Sequence, residues 1–201
     1  MISLSAYHSK DKQEVSRKSL KAGLWLDGTF DWVSEESASY INRQMRVLCQ
    51  KIDRKDATFY KMTIKNSSKE LLFPKLMFQY ENLLERQTVA FFSPGEKAIY
   101  HVGQTGVAVL GGLLNGKGIS QYCIQAKKNL YQYGCFKSLT EGVLTFSPLA
   151  KGEVSSMFSL EQKIEPNECV EAIAWVIHSE SKEFAKDLNH KLLAAGQNLQ
   201  I

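Results

Sequence analysis

Over most of the chain the apolar positions recur at every second residue, in short runs separated by turn-forming residues. Tyr60, Met62 and Ile64 alternate with Phe59, Lys61, Thr63 and Lys65. A period of two sends successive side chains to opposite faces of a pleated strand. Further strand-like runs follow at 71–80, 88–92, 97–102, 106–114, 118–125, 130–136, 142–147, 154–163 and 168–177. Pro74 cannot donate to a ladder, so its run is predicted to lie at an edge, to bulge, or to start after Pro74. Turn signals punctuate the runs: Asn66-Ser67-Ser68, Ser93-Pro94-Gly95-Glu96 and Glu165-Pro166-Asn167-Glu168. Pro presets φ at the second turn position, and Gly or Asn accepts the positive φ of the third. About eight to ten short strands so separated predict an all-β sandwich or barrel.

The ends of the chain read differently. Trp25, Phe30 and Trp32 flank Asp27-Gly28, a strong hairpin signal. Beyond it, Ser34 can cap a helix, with Glu35 and Glu36 in its first turn. Ala38, Ile41, Met45, Leu48 and Ile52 then follow a helical spacing over 34–52; Met45, Val47 and Cys49 also alternate, which leaves a strand over 44–52 as the alternative. A last helix is expected from an N-cap at Ser179, with Phe184, Leu188 and Leu192 on one face and Gly196 as the residue just past its end. Four segments result: a flexible polar arm (1–21), an aromatic hairpin with a helical segment (22–56), a β-sandwich (57–178) and a C-terminal helix (179–201).

The succession of Asn66-Ser67-Ser68-Lys69 and Pro94-Gly95-Glu96 resembles the turn pattern of bacterial immunoglobulin-like sandwiches, over residues 57–178. The expected fold is therefore mostly β: an antiparallel immunoglobulin-like β-sandwich with an N-terminal helical segment and a C-terminal amphipathic helix. An architecture of this kind does not specify a function.

Composition narrows the choice. A chain of 201 residues that is 44% hydrophobic and 23% charged can bury a core, which argues against whole-chain disorder. A net charge of +4 and a pI near 8.8 fall short of the basic balance of a nucleic-acid-binding domain, so nucleic acid is not an expected partner. No apolar run suits a secretory signal or a membrane span. A cytoplasmic location is expected, with export by a non-standard route as the alternative. Cys49, Cys123, Cys135 and Cys169 show no metal-type spacing and are expected as buried free thiols; a Cys123–Cys135 hairpin disulfide is the alternative.

Motifs for catalysis are weak. The stretch from Gly111 to Gly116-Lys117 spells G-x-x-x-x-G-K, but Gly118 stands where a phosphate loop needs Ser or Thr, and a strand-like run follows. Asn115-Gly116 reads better as a hairpin turn. His8, His101, His178 and His190 suggest no third ligand, and no Ser elbow is present, so neither metal, cofactor nor catalytic residue is expected. Tyr122, Tyr131, Tyr133 and Phe136 interleave with Lys117, Lys127, Lys128 and Lys137, as in a base-stacking platform or in half-buried strands with solvated lysines. The candidate binding surface is Trp25, Phe30 and Trp32 with Phe184, Leu188 and Leu192. The leading expectation is a non-catalytic protein-interaction or structural module, self-associating or bound to a protein partner. The alternative is a carbohydrate- or small-ligand-binding sandwich using the aromatic turn. A hydrolase without a recognisable motif comes third.

Overall fold

The computed structural model describes residues 20–34, 39–41, 44–81, 87–129 and 134–197. The strands are β1 (Leu20–Leu26), β2 (Thr29–Trp32), β3 (Ser39–Ile41), β4 (Met45–Asp53), β5 (Ala57–Asn66), β6 (Lys75–Glu81), β7 (Thr88–Ser93), β8 (Ala98–Val102) and β9 (Val107–Leu114). There follow β10 (Gln121–Ala126), β11 (Phe136–Ser138), β12 (Val143–Leu144), β13 (Leu149–Gly152), β14 (Val154–Glu161) and β15 (Cys169–Ser179), and then the C-terminal helix α1 (Lys182–Gln197). All pairings between these strands are antiparallel.

The strands form a five-stranded sheet in the order β10-β14-β6-β1-β2 and an eight-stranded sheet in the order β13-β7-β8-β9-β15-β5-β4-β3, with β11 and β12 as a separate pair. Alternate residues of each strand build a core shared by the two large sheets. Leu20, Ala22, Leu24 and Leu26 of β1, with Leu76, Phe78 and Tyr80 of β6, pack with Met45 and Val47 of β4, Met62 and Ile64 of β5, and Ala172, Ala174 and Val176 of β15. The opposite positions of each strand face outward, as the period of two requires.

The helix expected over 34–52 is corrected. Residues 39–41 and 45–53 are strands, and 35–38 and 42–43 lie outside the described residues. Met45, Val47 and Cys49 are buried while Arg46 and Leu48 are exposed, so the period of two won over the coincident helical spacing. Pairing along the whole of β5 fixes this choice, a tertiary effect that local propensity does not contain. The antiparallel β architecture stands. The immunoglobulin-like topology does not follow from it, since such domains hold roughly seven to nine strands in all and one sheet here has eight.

Turns follow their residues closely. Asp27 (φ 48°) and Gly28 (φ 83°) both take positive φ between β1 and β2, and Asn115 (φ 49°) and Gly116 (φ 78°) do so after β9. Both sites are therefore hairpin turns of the primed kind, and the phosphate-loop spelling has no loop behind it. β6 starts directly after Pro74. Of the polar arm, residues 1–19 lie outside the described residues, and β1 takes in Leu20 and Lys21.

Each large sheet is also covered over part of its outer face. Outside the eight-stranded sheet, α1 lays Ala185, Leu188 and Leu192 on Tyr100, Val109, Leu113 and Trp175. Ser181 rather than Ser179 caps this helix, its Oγ accepting from Phe184 N–H at 3.2 Å. Gly196 is helical rather than terminal; a Cβ there would stand 2.1 Å from Leu113 Cδ1, so the missing side chain lets the last turn reach the sheet. Outside the five-stranded sheet, the segment carrying β11 and β12 packs Phe136, Cys135 and Leu144 on Trp25, Met77, Cys123 and Met157.

Candidate ligand-binding face

Strand registers place the outward side chains of the five-stranded sheet in rows. Phe30, Trp25, Lys75 and Glu161 share one row, because Trp25 pairs with both Phe30 and Lys75, and Lys75 with Glu161. Trp32, Gly23, Met77, Ser159 and Gln121 form the next. Lys21, Gln79, Met157 and Cys123 follow, and then Glu81, Ser155 and Gln125.

The β11–β12 segment closes one end of this face. Trp25 Nε1–H donates to Leu139 O at 2.7 Å, and Lys75 Nζ donates to Glu141 O and Gly142 O at 2.8 and 2.9 Å. Gln121 Nε2 donates to Gly142 O at 3.2 Å and accepts through Oε1 from Leu144 N–H at 2.9 Å. Lys75 is only 7% exposed, and its charge is met by those two carbonyls and by the Trp25 ring 4.8 Å away. Gly142 sits at φ 60° with its Cα against the Trp25 ring, a position that a side chain would strain on both counts.

Beside the covered end stands an open aromatic group. Phe30 lies across Gly23, where an added Cβ would meet its ring at 2.6 Å. Trp32 meets Phe30 edge to face at 5.0 Å, and Phe136 meets Phe30 at 5.4 Å. Trp32 remains 48% exposed on β2, the edge strand of the sheet. Along the same face Gln79 Nε2 donates to Glu81 Oε1 at 3.0 Å and to Ser155 Oγ at 3.4 Å. A carboxylate has about four acceptor sites, so Glu81 keeps acceptor capacity beyond Gln79. The result is a held, half-exposed indole ring on the edge strand, with amide, carboxylate and hydroxyl groups one and two rows further along the same face, across two and three strands.

The six residues singled out by sequence fall into two places. Trp25, Phe30 and Trp32 share one face, with Trp25 buried beneath the hairpin and Trp32 open. Leu188 and Leu192 rest on the eight-stranded sheet, and Phe184 is 47% exposed. Sequence reasoning missed Gln79, Glu81 and Ser155. The alternation of β6 held the signal: once the strand starts at Lys75, Met77, Gln79 and Glu81 must share a face. The interleaved platform is not assembled among the described residues. Tyr122 stacks on Phe92 at 4.1 Å against the central core, whereas Phe136 belongs to the outer face.

Other features were weighed against this face. A cleft of about 440 Å³ lies outside the eight-stranded sheet, lined by Lys61, Leu113, Asn115, Glu168, Cys169 and Glu171 among others. Its Lys61 and Glu171 pair at 3.5 Å, which neutralises the charges best placed for recognition. Between the sheets, His101 Nε2 and Ser156 Oγ are hydrogen-bonded at 2.7 Å, with the edge of one ring on the other in the Tyr80–His101 pair at 5.0 Å. His101 is only 2% exposed, which shuts a bulky substrate out. Burial, and then the nearby His178, lower its pKa from 6.5 to about 3. Among the described residues no group of three or more His, Cys, Asp or Glu could hold a metal, and no helix is long and apolar enough to cross a membrane.

No protein family and no curated protein matches the sequence. Among solved structures, the chain is similar to one described as a kojibiose phosphorylase from the human microbiome, with a TM-score of 0.44 and 11% identity over 92% of this chain and 22% of that one. It is also similar to one described as a polysaccharide lyase, with a TM-score of 0.43 and 11% identity over 87% of this chain and 27% of that one. The chain thus spans about a quarter of the length of each. The expected non-catalytic protein-interaction or structural module is corrected. Part of the surface behind that expectation is taken up by the fold itself: Trp25 lies under the hairpin, and Leu188 and Leu192 dock on the sheet.

Proposed function

We propose that the chain is a carbohydrate-binding β-sandwich, with a saccharide seated on Trp32 and extending over the outer face of the five-stranded sheet. The observation that carries this reading is the half-exposed Trp32 ring, held edge to face by Phe30, on the sheet face that also carries Gln79, Glu81 and Ser155 one and two rows further along. A pyranose presents C–H bonds on one face and hydroxyls around its rim. The C–H face suits the negative face of an indole, and the hydroxyls suit an amide, which donates and accepts, and a carboxylate, which accepts. Trp32 and Gln79 stand two strands apart in the sheet, or ~10 Å, a span that takes more than a single sugar ring.

The reading is one of binding rather than catalysis. Glu161 Oε1 accepts from Gln121 Nε2 and from Ser159 Oγ, both at 2.5 Å, which commits that carboxylate to structure. Trp32→Ala should weaken saccharide binding by about tenfold or more, the loss expected for an aromatic anchor. Calorimetric titration with neutral oligosaccharides checks this. Unchanged affinity in a folded Trp32→Ala protein would remove Trp32 from the site.

A further inference from the structure

Cys123 and Cys135 are brought together by elements that hold each of them firmly. Cys123 lies within β10 and pairs with Met157 of β14; Cys135 immediately precedes β11. Both are free thiols, buried at 0% and 4% exposure, in one cluster with Met77, Met157 and Leu144. One carboxamide marks how close they are: Gln125 Nε2 donates to Cys123 Sγ at 2.7 Å and to Gly134 O at 3.1 Å. Thr145 N–H donates to Cys135 O at 2.9 Å and Ile124 N–H to Ser147 O at 2.9 Å, which fixes the backbone on both sides. The other two cysteines are elsewhere, Cys49 between the large sheets and Cys169 exposed at the start of β15.

We infer that Cys123 and Cys135 form a two-electron redox pair whose oxidised state is an intramolecular disulfide tying the β11–β12 segment to β10. The neighbouring Cys135 thiol, and Gln125 Nε2–H donating at 2.7 Å, both favour the thiolate at Cys123 against its burial. Those contacts make Cys123 the nucleophile. With a diazene oxidant such as diamide, Cys123 sulfur adds to one nitrogen of the N=N bond and the other nitrogen takes a proton. Cys135 then loses its proton, and its sulfur attacks that of Cys123. The S–S bond forms as the S–N bond breaks, and the departing nitrogen takes up the second proton. Two electrons and two protons pass to the diazene, which leaves as the hydrazine.

The cross-link closes a short loop and constrains the unfolded chain, so it should raise the thermal midpoint by roughly 5–10 °C. Cys123 lies on that same sheet face, but under the β11–β12 segment rather than in the open part with Trp32, and Phe136, next to Cys135, packs on Phe30. The inference therefore stands whether or not a saccharide binds.

Full-length protein carrying Cys169→Ser, to block pairing between molecules, should be treated with diamide, alkylated in denaturant and digested with trypsin. Cleavage after Lys117, Lys127, Lys128 and Lys137 separates the two cysteines into peptides 118–127 and 129–137. The expected result is one species two hydrogens lighter than the sum of the two peptides, a raised midpoint, and reversal of both by dithiothreitol. A parallel sample refolded from denaturant in diamide removes any barrier of access. If both peptides are recovered singly alkylated from both samples, or if the link runs through Cys49, the inference is overturned.

Discussion

Replacing Trp175 by alanine should cost about 3–5 kcal/mol of folding stability. Trp175 is fully buried in β15, which lies inside the eight-stranded sheet between β9 and β5. Its ring fills the space over Gly111, where even a Cβ would approach within 2.7 Å. It also joins two elements through hydrogen bonds. Its Nε1–H donates to Asn189 Oδ1 of α1 at 3.0 Å, and Asn189 Nδ2 donates to Glu96 O, in the β7–β8 turn, at 2.9 Å. Lys186 adds an ion pair to the Glu96 side chain at 2.8 Å. Truncation would leave a large cavity under the helix and an unmatched buried carboxamide. Trp175→Phe keeps much of the volume and removes the donor, so it should cost less, about 1–3 kcal/mol. Urea unfolding followed by circular dichroism compares the two. Equal losses for both substitutions would mean that the hydrogen bond to Asn189, not the packing, carries the effect.

Acid should destabilise the protein through His101. In the native state this ring is enclosed between the sheets, with Tyr80 on its edge, Ser156 on Nε2 and no partner on Nδ1 among the described residues. Burial first, and the nearby His178 second, hold its pKa near 3, against 6.5 when unfolded. The sign follows from the order of these values. Above pH 6.5 the ring is neutral in both states and contributes no pH dependence. Between pH 6.5 and 3 the unfolded chain takes up a proton that the native ring refuses, so stability falls as pH falls. The loss from this one group is about 3 kcal/mol between pH 7 and pH 4. His101→Gln offers Ser156 a hydrogen-bonding group that does not titrate. Its stability at pH 7 drops for reasons of packing, but its slope between pH 6.5 and 4 should be shallower than that of the wild type. Denaturant unfolding at pH 7, 5 and 4 measures both slopes, and identical slopes would show that His101 is protonated in the folded state.

The legible parts of this chain were those where one local pattern met no rival. Asp27-Gly28 and Asn115-Gly116 turn where their residues demand positive φ. β5 alternates without ambiguity, and Pro74 marks the start of β6. Legibility failed at 45–53, where a helical spacing and an alternating one coincide and only pairing with β5 decides. It failed again at the C-terminus, where the cap expected at Ser179 lies two residues later, at Ser181. The face itself was half visible. Its aromatic members stood out as a cluster around one turn, whereas Gln79, Glu81 and Ser155 come together only through the pairing of β6 with β14. Such cross-strand neighbours are set by register, which a single strand does not carry.

Tryptophan fluorescence titration of the full-length protein with a panel of neutral and acidic oligosaccharides tests the central claim most directly. Trp175 is fully buried and Trp25 is 7% exposed, so the half-exposed Trp32 is the indole best placed to report contact with a ligand. The account predicts a saturable change in intensity or a shift to shorter wavelength with at least one saccharide, absent from Trp32→Phe. A flat emission spectrum across the whole panel, with the protein folded throughout, would contradict it.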